Sequence, residues 1–178
     1  FVGRILEANA RLEAIVSGLL PLTRLEAHGI EPSADEVDLA QLARATATAA
    51  ADAATRSGVT ISVQAPEPVW LRGDSTWLRR ALENLLENAI CHTPSGAAIA
   101  CRVTSDVSGP VVEVRNQGEG VAPSVRDKIF ERFATTRAQS GGTGLGLAIV
   151  RAVAAAHGGT AELVEPGPPD TIFRVRLP

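Results

Sequence analysis

The run Gly141-Gly142-Thr143-Gly144-Leu145-Gly146, followed at once by the apolar helical pattern Leu147-Ala148-Ile149-Val150, constrains this chain more than any other stretch. Four glycines in six positions make a pliant loop that ends in a helix N-terminus. Such a terminus offers free backbone N–H groups and the positive end of a helix dipole, which together form an anion site. Phosphate is the usual occupant, and glycine lets the backbone approach it without a Cβ in the way. Taken alone, the run also fits a flexible turn, so the other motifs and their order have to decide.

The 178 residues allow one domain with an appendage, or two small domains. Apolar residues make up 45% of the chain but aromatics only 3%, so alanine, leucine and valine must fill the core. A net charge of −3 gives no reason to expect nucleic acid, and no basic run points to an anionic membrane surface. Cys91 and Cys101 make neither a disulfide framework nor a metal set, which favours a reducing, cytoplasmic setting. No apolar run approaches the roughly 18 residues that span a bilayer, and no signal peptide is visible. A start at Phe1 rather than Met is what an excised fragment shows; any membrane anchor would then lie upstream, with this part on the cytoplasmic side.

Residues 2–28 read as one long helix with Ile5, Leu12, Ile15, Val16, Leu19, Leu22 and Leu25 on a broad apolar stripe, flanked by Leu6 and Leu20. Another helix has to cover that stripe, and Pro21 should kink or break the helix. A stop and linker follow at 28–33. A helix over 38–56 is capped by Asp38 and ended by Ser57-Gly58. Strands are expected at 59–63 and 69–72, then a helix over 76–91 capped by Ser75. Paired strands at 98–103 and 111–115 precede a loop and short helix over 117–133. After the glycine loop a helix runs to His157, Gly158-Gly159 ends it, and strands at 160–165 and 171–177 close the chain. This order predicts an α+β fold, a two-layer sandwich with helices on one face of a mixed sheet, preceded by a long N-terminal helix.

Three further motifs carry chemistry. Asn84, Asn88 and Cys91 share one face of the 76–91 helix, beside an apolar face of Leu78, Leu82, Leu85 and Ala89. Asparagine carbonyls suit Mg²⁺, which prefers oxygen ligands and keeps several waters and phosphates in its shell. On spacing alone the pair equally fits two ordinary polar helix positions. Asn116-Gln117-Gly118-Glu119-Gly120-Val121 ends a strand with two glycines that admit a flat ligand, and a polar strand-end side chain can read a base edge; a plain turn also explains it. Ile129-Phe130-Glu131-Arg132-Phe133 places two aromatics just before the glycine loop, as core anchors or as the hinge of a lid with Arg132 near phosphate.

In this order the motifs resemble those of the sensor histidine kinases. Glu83 to Ile90 looks like their N box, Asn116 to Gly120 the G1 box, Ile129 to Phe133 the F box and Gly142 to Leu147 the G2 box, while Thr171 to Pro178 is similar to their closing strand. Arg11-Leu12 and Leu22-Thr23-Arg24-Leu25-Glu26 resemble the second helix of the family's dimerisation and histidine-phosphotransfer hairpin. The resemblance implies a partial hairpin helix and linker over 1–33 and a Bergerat-type ATP-binding catalytic domain over 34–178. It implies Mg²⁺ on Asn88 with Asn84 beside it, the adenine amino group at Asn116, and the purine against Gly118, Gly120 and Val121. Residues 134–146 would be the ATP lid, with Gly142, Thr143, Gly144, Leu145, Gly146 and Leu147 at the phosphates, Phe130, Arg132 and Phe133 flanking it, and Thr171 at the pocket floor. The implied partners are the first hairpin helix of the same kinase, a response regulator, and a second copy through the N-terminal helix.

The chain departs from that pattern in three places. Asn116 stands where the family usually has Asp; a neutral acceptor gives about 0.5–1.5 kcal/mol against roughly 1.5–3 for a charged one, so ATP should bind about fivefold more weakly. Cys91 stands where the family often has Lys, leaving His92 or Arg132 to meet phosphate; Cys91 also reads as a small filler at a helix end. None of His28, His92 and His157 is followed by the acidic residue and proline that mark the family's phospho-acceptor, so no catalytic histidine is assigned. An ATPase of the gyrase, Hsp90 and mismatch-repair group needs a general-base Glu four residues before the metal Asn. That position is Asn84, and Glu83 and Glu87 are in the wrong helical register for it, at about 100° per residue. Serine kinases of anti-sigma antagonists share the pocket but lack the long first helix. A degenerate nucleotide-binding module with weak or no kinase activity is the remaining alternative, left open by Asn116 and Cys91.

Overall fold

The computed structural model describes residues 2–29, 35–135 and 142–178. The linker residues after Gly29, and Gly141 with the middle of the expected lid, lie outside the described residues. In chain order the elements are α1 (Val2–His28), β1 (Glu36–Asp38), α2 (Leu39–Arg56), β2 (Thr60–Gln64), β3 (Trp70–Arg72), α3 (Ser75–His92), β4 (Ala98–Asp106), β5 (Gly109–Gln117), α4 (Pro123–Arg126), α5 (Gly146–Ala156), β6 (Thr160–Pro166) and β7 (Asp170–Arg176).

The main sheet has the order β2-β4-β5-β7-β6, with β2 parallel to β4 and the other pairs antiparallel. Strand alternation makes it two-faced. Ile99, Cys101 and Val103, Val112 and Val114, and Phe173 and Val175 point inward and are buried. They meet Leu42 and Ala43 of α2, Leu82, Leu85 and Ala89 of α3, and Val150, Val153 and Ala154 of α5 in one core. The other face carries ion pairs: Arg174 bonds Glu113 at 2.5 Å and Glu162 at 3.1 Å, and Arg176 bonds Asp106 at 2.7 Å. The expected two-layer sandwich with a mixed sheet is therefore present. No helix among the described residues is long and apolar enough to cross a membrane.

Local differences from the sequence reading have local causes. β1, too short to show a period, pairs antiparallel with β3. Asp38 ties the two together, since its Oδ1 accepts from Ala40 N (3.0 Å) in α2 and from Val69 N (3.2 Å) beside β3. The cap of α3 is Asp74 rather than Ser75: its Oδ1 accepts from Thr76 N at 2.8 Å and Trp77 N at 3.1 Å. The short helix is Pro123–Arg126, and Ile129–Phe133 is a series of turns. Phe133 has φ +65°, and its N–H donates to Gly144 O at 2.9 Å, so the two flanks of the glycine loop are stitched together. Phe130 is the core anchor, edge-on to Phe173 at 6.0 Å.

Helix α1 runs on through Pro21 without the expected break. Proline has no N–H for the carbonyl one turn back, which is that of Ser17. Arg80 of α3 supplies the missing donor, its Nη2 bonding Ser17 O at 2.8 Å. The last turns of α1 then lie against α5. Leu22 and Leu25 are buried, and Gly18 faces Leu145 so closely that a Cβ would sit 3.0 Å from its Cδ1. Along the same helix Leu12, Val16 and Leu20 are at least half exposed (60%, 50% and 55%).

Candidate functional site

A cavity of ≈ 1320 Å³ opens between the C-terminal half of α3, the loop after β5, the turn before β7 and the start of α5. Pockets for drug-sized ligands run to about 1,000 Å³, so this one has room for a larger polar ligand with water. Its walls divide into a neutral, deeply buried end and a more open end built from backbone.

The buried end follows from strand register. Asn116 in β5 stands directly opposite Thr171 in β7, so both side chains point to the inner face. They are 2% and 4% exposed. Thr93, also buried, donates from Oγ1 to Ala89 O at 2.6 Å. The buried polar residues among those described are Thr46, Thr93, Asn116 and Thr171; only Thr46 does not line the cavity, and none of the four is charged. The Asn116 Nδ2 makes one long bond, 3.3 Å to Gln117 O.

Helical spacing puts Asn84, Asn88 and Cys91 on the cavity side of α3, with His92 at its end. The two asparagines differ. Asn84 Nδ2 donates to Arg80 O at 2.7 Å, and its Oδ1 backs onto Gly146, where a Cβ would be 2.8 Å away. The Asn88 side chain makes no hydrogen bond among the described residues, so its amide is uncommitted and lines the cavity. Glu87 lines it as well; partial burial raises its carboxyl pKa above the usual range, Glu83 adds to this, and Arg80 opposes it.

The loop after β5 is pinned from behind. Gly120 has φ +79°, and a Cβ there would lie 2.6 Å from Pro166 O, so only glycine fits. The next residue, Val121, donates its N–H to the same carbonyl at 2.6 Å. At the open end, α5 begins without a side-chain cap, and Thr143, Gly144, Gly146 and Leu147 face the cavity. Its first-turn N–H groups are thus left without a side-chain acceptor. No Lys or Arg among the described residues lines the cavity. No group of three or more His, Cys, Asp or Glu among them could hold a metal.

The structure thus brings Asn84, Asn88, Cys91, His92, Asn116, Gly118, Gly120, Val121, Gly142, Thr143, Gly144, Gly146, Leu147 and Thr171 to one cavity. Four expected residues are elsewhere. Phe130 is in the core, Phe133 is 55% exposed outside the cavity, and Leu145 is buried under α1. Arg132 pairs with Glu26 of α1. Sequence reasoning missed Glu87, Thr93, Val125, Ile129, Pro168 and Pro169, which also line it. Glu87 adjoins Asn88 and was open to inspection; the prolines arrive through the β6–β7 connection, for which the local sequence carries no signal.

Comparison with known proteins gives the family and the fold. Residues 73–178 match the family described as histidine kinase-, DNA gyrase B-, and HSP90-like ATPase. The probable sensor histidine kinase TcrY of Mycobacterium tuberculosis is 36% identical over 181 residues, covering 99% of this chain and 38% of that protein. The sensor-like histidine kinase SenX3 of Mycobacterium bovis is 35% identical over 180 residues, covering 98% of this chain and 43% of its own length. The chain therefore spans about two fifths of these curated relatives. Among solved structures, full-length ShkA in complex with AMPPNP superposes with a TM-score of 0.82 at 32% identity, over 97% of this chain and 36% of that one. The mycobacterial sensor histidine kinase MprB does so at 0.70 and 32%, over 81% and 96%.

Proposed function

Because the chain belongs to the histidine kinase-, DNA gyrase B-, and HSP90-like ATPase family, we propose that its cavity holds Mg-ATP and gives up the γ-phosphoryl group to a histidine in two-component signalling. The observation that carries this reading is a pairing across one cavity: the uncapped start of α5 faces the uncommitted amide of Asn88. The bound nucleotide analogue in the ShkA structure, a homologue by sequence and fold, supports the same occupant.

In this reading Asn116 and Thr171 take the adenine, with Gly118, Gly120 and Val121 along its face. The first-turn N–H groups of α5, with Thr143 and Gly144, take the phosphates. A lone amide oxygen without a carboxylate cluster fits Mg²⁺, which keeps its waters and substrate phosphates. Asn88 would hold that ion, which would supply the charge neutralisation that the cavity's described side chains lack. Asn84 positions rather than ligates: it is tied to Arg80 O and packs on Gly146, which fixes α3 against the phosphate end.

Catalysis is then positioning plus electrostatics. An imidazole nitrogen attacks the γ-phosphorus, the bond to the bridging oxygen breaks, and its electron pair leaves with ADP. The acceptor is supplied by the first hairpin helix of the kinase. His157 does not suit the role: Nδ1 lies 2.8 Å from Val153 O, and Nε2 accepts from Asp74 N at 3.2 Å. We read residues 1–33 as part of the dimerisation hairpin and its linker and 34–178 as the catalytic domain. A second copy packs on α1, a response regulator receives the phosphoryl group, and the setting is cytoplasmic, at the membrane in a full-length kinase.

The test is to supply a polypeptide carrying a first hairpin helix, or a full-length partner, together with Mg-ATP labelled on the γ-phosphate. The expected result is an acid-labile, base-stable label on the supplied histidine. Tight Mg-ATP binding without any transfer would favour the degenerate nucleotide-binding module instead.

A further inference from the structure

We propose that the buried end of the pocket tolerates 6-oxopurine triphosphates nearly as well as ATP, and that Asn116 is the residue that sets this breadth. The inference rests on the reading of Asn116 and Thr171 as the base-facing pair.

The argument is one of polarity. Adenine presents an amino donor at position 6 and a ring-nitrogen acceptor beside it. Hypoxanthine presents the reverse, a carbonyl acceptor and a ring N–H donor. A side chain that can only accept fits the first and opposes the second. An amide has one oxygen acceptor and two N–H donors on the same plane, and a hydroxyl both donates and accepts. Asn116 and Thr171, opposite each other across β5 and β7 and nearly inaccessible, are an amide and a hydroxyl. Turned one way, the amide accepts from the adenine amino group and donates to the ring nitrogen. Turned by half a revolution, it donates to the 6-oxo group and accepts from the ring N–H. The Thr171 hydroxyl rotates to suit either.

Little in the structure locks the amide in one sense. Its anchor among the described residues is the 3.3 Å bond from Nδ2 to Gln117 O, longer than the usual 2.7–3.2 Å. Among the described residues, the buried polar ones on the cavity wall are Thr93, Asn116 and Thr171, and none of them is charged. Turning the amide therefore gives up one weak neutral hydrogen bond, worth about a tenfold preference or less. A carboxylate at 116 would accept from adenine with charge assistance and would face the 6-oxo oxygen with like charge. Rejection on that basis is about a hundredfold.

Inosine triphosphate is the probe, because it changes only the 6-position and its ring neighbour; the 2-amino group of guanine would add a question of fit. Binding of ATP and inosine triphosphate in Mg²⁺ is measured by calorimetry on the whole chain, for wild type, Asn116→Asp and Asn116→Ala. The expected wild-type ratio is about tenfold or less in favour of ATP. In Asn116→Asp, ATP tightens about fivefold, inosine triphosphate weakens, and the ratio widens to about a hundredfold. Asn116→Ala, which buries no charge, weakens both nucleotides and leaves the ratio at its wild-type value or below it, because the amide's anchoring bond is gone, so a folding failure of the Asp variant does not remove the test. A wild-type ratio of about a hundredfold, or a ratio that grows in Asn116→Ala, overturns the proposal while ATP binding stands. Failure of wild type to bind ATP overturns the pocket reading and this inference with it.

Discussion

Cys101 is buried on the inner face of β4, and burial pushes its thiol up to about 12, whereas Cys91 is exposed at the cavity wall. Thiolate is the reacting form. Alkylation of the folded protein should therefore label Cys91 alone, Cys101 should react only after denaturation, and saturating Mg-ATP should slow the Cys91 reaction. Mass spectrometry of the labelled peptides decides this; labelling of Cys91 that ignores nucleotide would place it outside the pocket. Glu87 gives a pH-dependent test. Partial burial first, then Glu83, raises its folded-state pKa, so the folded state holds the proton more tightly than the unfolded chain does. The ionised form therefore opposes folding, and stability from this group falls as pH rises through its pKa. Glu87→Gln should raise the melting temperature near pH 7, and the difference should vanish below about pH 4, where wild type is protonated in both states. Both asparagines of α3 were legible as a pair from spacing; that Asn84 is committed to Arg80 O and Asn88 is not could be learned only from the packed structure.

At the scale of elements, the docking of α1 on α5 sets apolar burial against charge. Burying Leu22 or Leu25 contributes roughly 1.5–3 kcal/mol each. The Glu26–Arg132 pair is well exposed on both sides and is worth about 0–1 kcal/mol. The apolar contact dominates. Leu22→Ala should loosen α1 by about 2–5 kcal/mol, seen as faster hydrogen exchange along α1, while Arg132→Ala changes it by no more than about 1 kcal/mol. Equal effects would contradict this ranking. The same element shows where sequence reading stops. The periodicity of α1, α3 and α5 was plain, because each helix carries its apolar stripe in its own residues. The break expected at Pro21 did not occur, because its remedy, Arg80, is contributed by α3 and invisible locally. The turn at Ile129–Phe133 resembled a short helix by composition, but Phe133 is drawn to φ +65° by its bond to Gly144 across the loop.

Across the whole molecule, Leu12, Val16 and Leu20 remain on an exposed face of α1 that the other described residues do not cover. Such a patch predicts association: sedimentation should show a concentration-dependent dimer, and Leu12→Lys with Val16→Lys should return a monomer. A clean wild-type monomer at high concentration would contradict it. That these motifs would line one cavity was legible because they are short and each sits at the end of one element. What was not legible was the division of labour, in which Arg132 and Leu145 serve α1 and the cavity keeps no described cation of its own. In the proposed reading as a Mg-ATP site, that division makes the metal indispensable. Calorimetry of ATP with and without Mg²⁺, on wild type and Asn88→Ala, should show saturable binding for wild type in Mg²⁺. Affinity should fall by tenfold or more, about 1.4 kcal/mol, when either Mg²⁺ or the Asn88 amide is removed, with no further loss when both are. Binding that is indifferent to Mg²⁺ and to Asn88, or no binding at all, would contradict the reading of this cavity as a Mg-ATP site.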